Sequence, residues 1–403
     1  MQLNSESLHR VTFLCGSADT YAQLPDISAK RPFDEFIVDF LNDLSRTIMK
    51  NRAAKAYSDV VTFAFWIRKS SVMKLKERFE TSDNNIHLGK GVVFHIAPSN
   101  VPVNFAYSLA AGLLTGNANI VRVPAKEFVQ AEIIIEAINS VLKQHETLRP
   151  YILLVRYARD KEINDLFSSL ADVRVVWGGD QTIAELRKSP LPPRSGEITF
   201  ADRYSFAFID SDFYLGIEDK DRVAEDFYND TFFSDQNACT SPRLVIWTGS
   251  RIEEAKKVFW EKEHEKAVNN YSLQAVQSVN KLTSSYLMAA AEPYVKIEDH
   301  QDNLIVRVRV PELNRYLIDY RDNSGFFYEY DCRDVLEIRN FCNDKRCQTI
   351  AYIGDGKALL PLIEAGVKGI DRIVPIGKTM DFDLIWDGYN LPALLTRTVA
   401  LHI

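Results

Sequence analysis

The chain has 403 residues, a formal net charge of −7, and 46% hydrophobic and 26% charged residues. That length suits two α/β domains rather than one small one. The composition is that of a soluble globular chain, and the negative balance gives bulk charge no part in drawing it to nucleic acid or anionic lipid. Cys15, Cys239, Cys332, Cys342 and Cys347 form no CxxC pair and no cluster with zinc-ligand spacing. Free thiols in a reducing, cytoplasmic setting and no metal are therefore expected. The opening MQLNSESLHR has no cationic stretch followed by an apolar one. The best apolar run, Phe105 to Leu114, is about half of the ~20 residues of a membrane span.

In chain order, Asp34 to Met49 has the apolar spacing of a helix, and residues 56–80 read as further helix ending in the polar turn TSDNN. Gly91 to Ala97 (GVVFHIA) then predicts a buried strand, Asn104 to Thr115 a helix, Asn119 to Val123 a strand and Lys126 to His145 a long amphipathic helix. Tyr151 to Arg156, Lys161 to Leu170 and Asp172 to Trp177 continue as strand, helix and strand. A second series follows: strand Ser205 to Ile209, helix Arg222 to Phe232, strand Arg243 to Trp247, a helix from about Ile252, and β character at Leu304 to Val310 and Thr349 to Ile353. Alternation of this kind predicts parallel sheets covered on both faces. Domains are expected over 1–204, 205–375 and a C-terminal packing or oligomerisation segment, 376–403, with no flexible tether.

Three places could carry chemistry. The strand 91–97 ends in APSNVP, residues 97–102, which puts Asn100 where ligands of open parallel sheets gather; by spacing alone Asn100 reads more readily as a residue that satisfies turn amides. No GxGxxG follows a predicted strand, and Gly178-Gly179-Asp180 is a weaker substitute. Its glycines permit close backbone approach, and the helix that follows offers free N–H groups to a pyrophosphate, although a plain β-to-α turn has the same sequence. Cys239 lies in FFSDQNACTSPRLVIW, residues 232–247, in a polar loop among the small residues Ala238, Thr240 and Ser241. A thiolate needs open approach and nearby donors, whereas the other cysteines read as buried and inert. No GxSxG elbow and no HxxxH pair occur, and His95 sits in mid-strand as a core or edge residue.

In this order the pieces resemble an aldehyde dehydrogenase. APSNVP resembles that family's proline–aromatic–asparagine–aromatic–proline motif, with Ser99 replacing the first aromatic and Asn100 at the oxyanion asparagine. GNANIVRV, 116–123, resembles the strand ending in the adenosine-binding lysine, with Arg122 in its place. VVWGGDQTI, 175–183, resembles the turn beside the cofactor, and QNACTSPR, 236–243, the nucleophile loop. KRCQTIAYIG (345–354) and GIDRIVPIGKTMDFDLIWDGYNLP (369–392) resemble the reductase subunit of the bacterial luminescence fatty acid reductase complex, the LuxC-like family.

The resemblance implies an aldehyde-dehydrogenase-like fold of two Rossmann-like domains with the active site in the cleft between them. It implies reduction of an acyl thioester to an aldehyde by NADPH through an acyl-Cys239, with Asn100 and a backbone N–H of Cys239 holding the oxyanion. Ser99, Arg122, Lys126, Gly178, Gly179, Asp180 and Glu329 (in FFYEYDCRD) fall on cofactor-binding positions. Ala125 stands where NAD-preferring relatives place a glutamate that repels a 2′-phosphate. The expected donor is acyl-CoA or an acylated carrier or synthetase subunit, and a homo-oligomer is expected. The family's hydrolytic glutamate falls near Phe200, in ITFADRYSFAF, with Asp202 the nearest carboxylate. Without a base to activate water, an acyl-Cys is poorly hydrolysed. The alternatives are a hydrolytic aldehyde dehydrogenase, a γ-glutamyl-phosphate reductase and a non-catalytic binding subunit.

Overall fold

The computed structural model describes residues 5–79, 85–298 and 302–402, and the chain divides into two compact units, 1–201 with 389–403, and 202–388. The expected polar turn at 81–85 lies, except for Asn85, outside the described residues. Among the described residues no helix is long and apolar enough to cross a membrane.

The first unit is built on strands β1 (Thr12–Cys15), β3 (Val92–Ile96), β4 (Ala118–Arg122), β5 (Ile152–Arg156), β6 (Val173–Trp177) and β7 (Gly196–Phe200), with β2 (Ile86–Gly89) apart from them. The apolar runs of β3 to β6 have almost every residue buried, as a sheet covered on both faces requires. The spatial order is β1-β5-β4-β3-β6-β7, parallel from β5 to β7, with β1 antiparallel at the edge. From β3 the chain winds outward to β5, then returns to place β6 and β7 on the other side. The winding reverses between β3 and β6, the point at which doubly wound sheets leave a crevice for ligand.

Helix Asn104–Leu114 buries all its residues except Asn104 and Tyr107. Gly112 is required there, because a Cβ would come 1.9 Å from Asn119 Oδ1. His95 belongs to the same interior. Its ring nitrogens meet Ser108 Oγ (2.7 Å) and Asn119 Oδ1 (3.0 Å), Trp177 Nε1 donates to Ser108 Oγ (3.1 Å), and burial pulls the imidazole down to about 4. His95 is thus a neutral core residue at physiological pH.

Several expectations need correction. The helix expected over 56–80 is two, Ser58–Trp66 and Lys69–Phe79; the second is capped by Asn42, whose Oδ1 accepts from Lys69 N at 3.1 Å. The helix expected from Lys126 begins at Val129 and ends at Val141. The segment 376–403 is shared between the units. Its strand Thr396–Val399 pairs antiparallel with β2, and Asn117 Nδ2 donates to Leu395 O (3.0 Å).

The second unit carries β8 (Tyr204–Asp210), β9 (Pro242–Thr248), β10 (Lys296–Ile297), β11 (Val306–Arg309), β12 (Phe326–Asp331), β13 (Cys347–Ile353) and β14 (Arg372–Pro375), in the order β10-β11-β12-β9-β8-β13-β14. All neighbours are parallel except β10 on β11. Its core has one apolar cluster on each face of the sheet: Phe206, Leu244, Tyr328 and Ile350 belong to one, and Ala207, Val245, Phe327 and Ala351, their neighbours along the same strands, to the other. β7, β12, β14 and helix Ala275–Ala291 had no counterpart in the sequence pattern.

Candidate active site

In the first unit the parallel strands bring their carboxyl ends to one edge. Ser99 and Asn100 stand exposed on the loop between β3 and the helix at Asn104, with Pro98 and Pro102 on either side. Gly178 and Gly179 follow β6, on the other side of the reversal. A Cβ on Gly179 would meet nothing within 4 Å, so this backbone is open to an approaching group. Gly179 is the N-cap of Asp180–Leu186, and Asp180 is its first helical residue.

Arg122 ends β4 and is half-buried. Its guanidinium stacks 4.4 Å from the Tyr157 ring and donates at 3.4 Å to the carbonyls of Tyr157 and Ala158. Lys126 is exposed, 5.0 Å from the Phe128 ring. Phe200, near the place of the hydrolytic glutamate, ends β7 stacked on Trp177 (3.7 Å between centroids), and its carbonyl accepts from Gly178 N (3.1 Å).

In the second unit the chemistry gathers at the opposite end of the strands. Asp202 and Arg203 precede β8, Cys239 precedes β9, Arg321 and Asn323 precede β12, Gln348 is the second residue of β13, and Asp371 and Arg372 lie at the start of β14. Cys239 is half-buried in a loop that enters through two left-handed residues, Asp235 (φ 52°) and Gln236 (φ 50°). Gln236 holds that conformation. It is fully buried, donates through Nε2 to Pro242 O (3.0 Å) and Phe326 O (3.2 Å), and accepts through Oε1 from Gly325 N (2.8 Å).

Arg243 threads beneath the loop. It donates to Gln236 O, to Asn323 Oδ1 (3.2 Å) and, at 3.5 Å, to Ala238 O. Ser205 Oγ donates to Cys239 O at 2.7 Å, and Thr240 Oγ1 donates to Met380 Sδ at 3.4 Å. The Cys239 thiol is pushed up to about 12, first by desolvation and then by the charge of Asp387, with Arg243 opposing and Asp202 adding. The resting thiol is therefore protonated at neutral pH.

The other four thiols are buried and their pKa values are raised by desolvation. Asp202 is paired with Arg321. Glu329 departs from its expected role. It is fully buried in β12, Oε1 accepts from Trp247 Nε1 (2.9 Å) and Trp260 Nε1 (2.8 Å), and Oε2 meets Arg307 at 3.3 Å. Both oxygens have partners within the second unit and the side chain is fully buried, so Glu329 stands here as an internal brace out of reach of a ribose. The sequence reading missed Gln236, Arg243, Asn323 and Asp387. For Arg243 a signal existed, a cation four residues after the candidate nucleophile. For the others only the fold makes them neighbours.

Comparison with known proteins gives a family and a fold. The sequence model of the acyl-CoA reductase (LuxC) family matches residues 26–397. Long-chain acyl-protein thioester reductases are similar: that of Aliivibrio fischeri is 23% identical over 302 residues (73% of this chain, 60% of the relative), and that of Vibrio harveyi 25% over 304 residues (73% and 60%). The chain thus spans about three-fifths of the length of these relatives. Among solved structures, a Thermus thermophilus 1-pyrroline-5-carboxylate dehydrogenase mutant superposes with TM-score 0.63 at 13% identity (96% of this chain, 86% of the other). An NAD-dependent benzaldehyde dehydrogenase of Corynebacterium glutamicum gives 0.62 at 13% (96% and 94%). The fold is that of the aldehyde dehydrogenases.

Proposed function

The chain belongs to the acyl-CoA reductase (LuxC) family, and from that membership we propose that it reduces an acyl thioester to an aldehyde through an acyl group carried on Cys239. The observation that carries this reading is the loop of Cys239. It is a half-buried thiol on a strained turn, braced from below by Gln236 and Arg243, while the other four cysteines lie in cores. Sulfur attack on the thioester carbonyl expels the carrier thiol, and the charge that develops on the carbonyl oxygen is assigned to the Asn100 amide and the Cys239 backbone N–H. A reduced nicotinamide, when bound, supplies the hydride that takes the acyl group to the aldehyde level.

The residues at the first unit's carboxyl edge fit such a dinucleotide: open backbone at Gly179, the exposed polar loop of Ser99, and the cations Arg122 and Lys126. The acyl donor is coenzyme A or an acylated protein, the latter suggested by the relatives' activity. The reading is tested by mass spectrometry of the protein incubated with a panel of acyl-CoAs and no cofactor. An acyl mass on the peptide bearing Cys239 is expected and names the preferred chain; no adduct with any donor overturns it.

We assign NADPH as the cofactor, with Arg122 and Lys126 facing the 2′-phosphate and Ala125 removing the repelling carboxylate. A phosphate contact to a charged side chain is worth about 1.5–3 kcal/mol, so the ratio of kcat/KM for NADPH over NADH should fall about tenfold or more in Arg122→Ala. An unchanged ratio removes Arg122 from the phosphate site. Hydrolysis should be slow, because Phe200 is stacked in the core near the place of the water-activating glutamate. With aldehyde and oxidised cofactor, acid should appear slowly, and turnover should rise when a thiol acceptor is added. Rapid acid release without thiol favours a hydrolytic dehydrogenase.

A further inference from the structure

We propose that Arg243 is the positioning residue of the nucleophile: its guanidinium fixes the backbone that presents Cys239, and its charge, left without a counter-ion, favours the anion that forms there. The assignment rests on the acyl-thioester reading above. Arg243 is the second residue of β9 and is 5% exposed. Among the described residues every hydrogen-bond partner of its guanidinium is neutral: Gln236 O, Ala238 O (3.5 Å from Nη1) and Asn323 Oδ1 (3.3 Å from Nε, 3.2 Å from Nη2). A buried charge is costly unless it is paired and hydrogen-bonded. Here neutral acceptors hold the cation in place and no carboxylate bonds it; Asp202 is paired with Arg321 instead.

The carbonyls it holds belong to the nucleophile loop itself. Ser241 N donates to Ala238 O (3.1 Å), which closes a β-turn with Cys239 and Thr240 at its corner. Ala238 O thus receives two donors, one from the turn and one from Arg243. In a planar trans peptide the N–H points opposite to the C=O. Holding Ala238 O therefore sets the direction of the Cys239 N–H, the one assigned to the oxyanion. Gln236 O belongs to a left-handed residue at the entry of the loop (φ 50°), a conformation that persists in such a residue only where it is held. Asn323 completes the frame: it accepts from Arg243 and donates through Nδ2 to Asn237 Oδ1 (3.0 Å).

The charge of the guanidinium reaches the sulfur through the same contact. Only the bonds of one peptide and one short side chain separate Ala238 O from the Cys239 sulfur, so the donor nitrogen lies within about 9 Å of it. Through an interior of effective dielectric about 20, a unit charge at that distance changes the ionisation of a thiol about tenfold or more. The other charges that face the thiol are Asp387 and Asp202, which oppose its ionisation as burial does; Arg243 is the cation set against them. Arg321 and Tyr204 face Arg243, and neither neutralises it: the first is a like charge, and burial keeps the phenol protonated. The anion that forms at Cys239 is thereby met by a cation already in place, with no reorganisation at the moment of reaction.

Two substitutions separate the charge from the bonds. Arg243→Gln removes the charge and keeps a donor for the loop carbonyls; Arg243→Lys keeps the charge and loses the planar fork. The readout is alkylation of Cys239 by iodoacetamide against pH, followed on its peptide by mass spectrometry, beside single-turnover acylation by acyl-CoA. At a fixed mildly alkaline pH, alkylation should fall about three- to tenfold in Arg243→Gln, the lower figure because a more basic thiolate is also a better nucleophile. Acylation should fall at least as far, and Arg243→Lys should recover the larger part of both. An alkylation profile in Arg243→Gln that coincides with wild type overturns the assignment. Equal losses in Gln and Lys also overturn it, because they make Arg243 a brace whose charge does nothing. Should wild type accept no acyl group, the functional reading fails by itself, and Arg243 is judged on alkylation. If Arg243→Gln does not fold, Asn323→Asp takes its place, an isosteric change that sets a carboxylate against the buried cation. Alkylation should then fall by about the same factor while the thermal melt holds or rises, and unchanged alkylation overturns the assignment.

Discussion

Replacing Cys239 with Ala is expected to abolish acyl-enzyme formation and aldehyde production together, while leaving the fold and cofactor binding intact. The side chain is short, half-buried and free of any disulfide, and the loop around it is held by other atoms: the Gln236 amide, the Arg243 guanidinium and the Ser205 hydroxyl. Loss of the sulfur therefore removes the nucleophile without removing a brace. Single replacement of Cys15, Cys332, Cys342 or Cys347 should leave substantial activity, because each lies in a core with its thiol ionisation suppressed by burial. Their cost should appear as lower stability, in the range usual for small core truncations, about 0.5–3 kcal/mol. The measurement is mass spectrometry of the acyl-enzyme beside steady-state aldehyde formation. Near wild-type turnover by Cys239→Ala would sink the mechanism as a whole.

The second large effect is expected at Asn100. Its side chain is exposed on the loop after β3, and among the described residues it makes no hydrogen bond that holds the fold. Asn100→Ala should leave stability nearly unchanged while lowering turnover by roughly 10²–10³, the loss usual for one oxyanion donor. The deficit should lie in kcat rather than KM, because the donor works on charge present in the transition state and not in the bound thioester. A turnover within about twofold of wild type would return Asn100 to the plainer reading, a residue that serves its own turn. Equal losses in activity and thermal stability would do the same.

The doubly wound first sheet was legible because β3 to β6 are mostly apolar runs separated by helical segments, a local pattern that two-sided burial imposes. The loops that hold Cys239 and Asn100 were legible as loops for a different reason. Each stands at a break between regular elements, where short-range sequence sets the chemistry of a loop. Other features escaped: β12 reads FFYEYD without clean alternation, and the break at Ile67 depends on Asn42, which caps Lys69 from 27 residues away. The C-terminal segment read as one piece because nothing in its composition marks the return at residue 389; pairing with β2 decides it.

Glu329 shows the limit most plainly. In sequence it is an acidic residue that the resemblance sets at a cofactor-binding position, and only packing against Trp247, Trp260 and Arg307 turns it into a core brace. Asp387 is the converse, an unremarked residue of WDGYNLP that the sheet edge sets in one polar chain with Cys239 through Ser205 and Gln348. From the sequence one could read which loops hold Cys239 and Asn100, because strand periods and loop chemistry are written over short stretches. The tertiary structure alone decided which charges share a dry environment with them. That depends on contacts between residues more than a hundred positions apart, and desolvation, which sets their protonation, is a property of the packed interior and not of the residue.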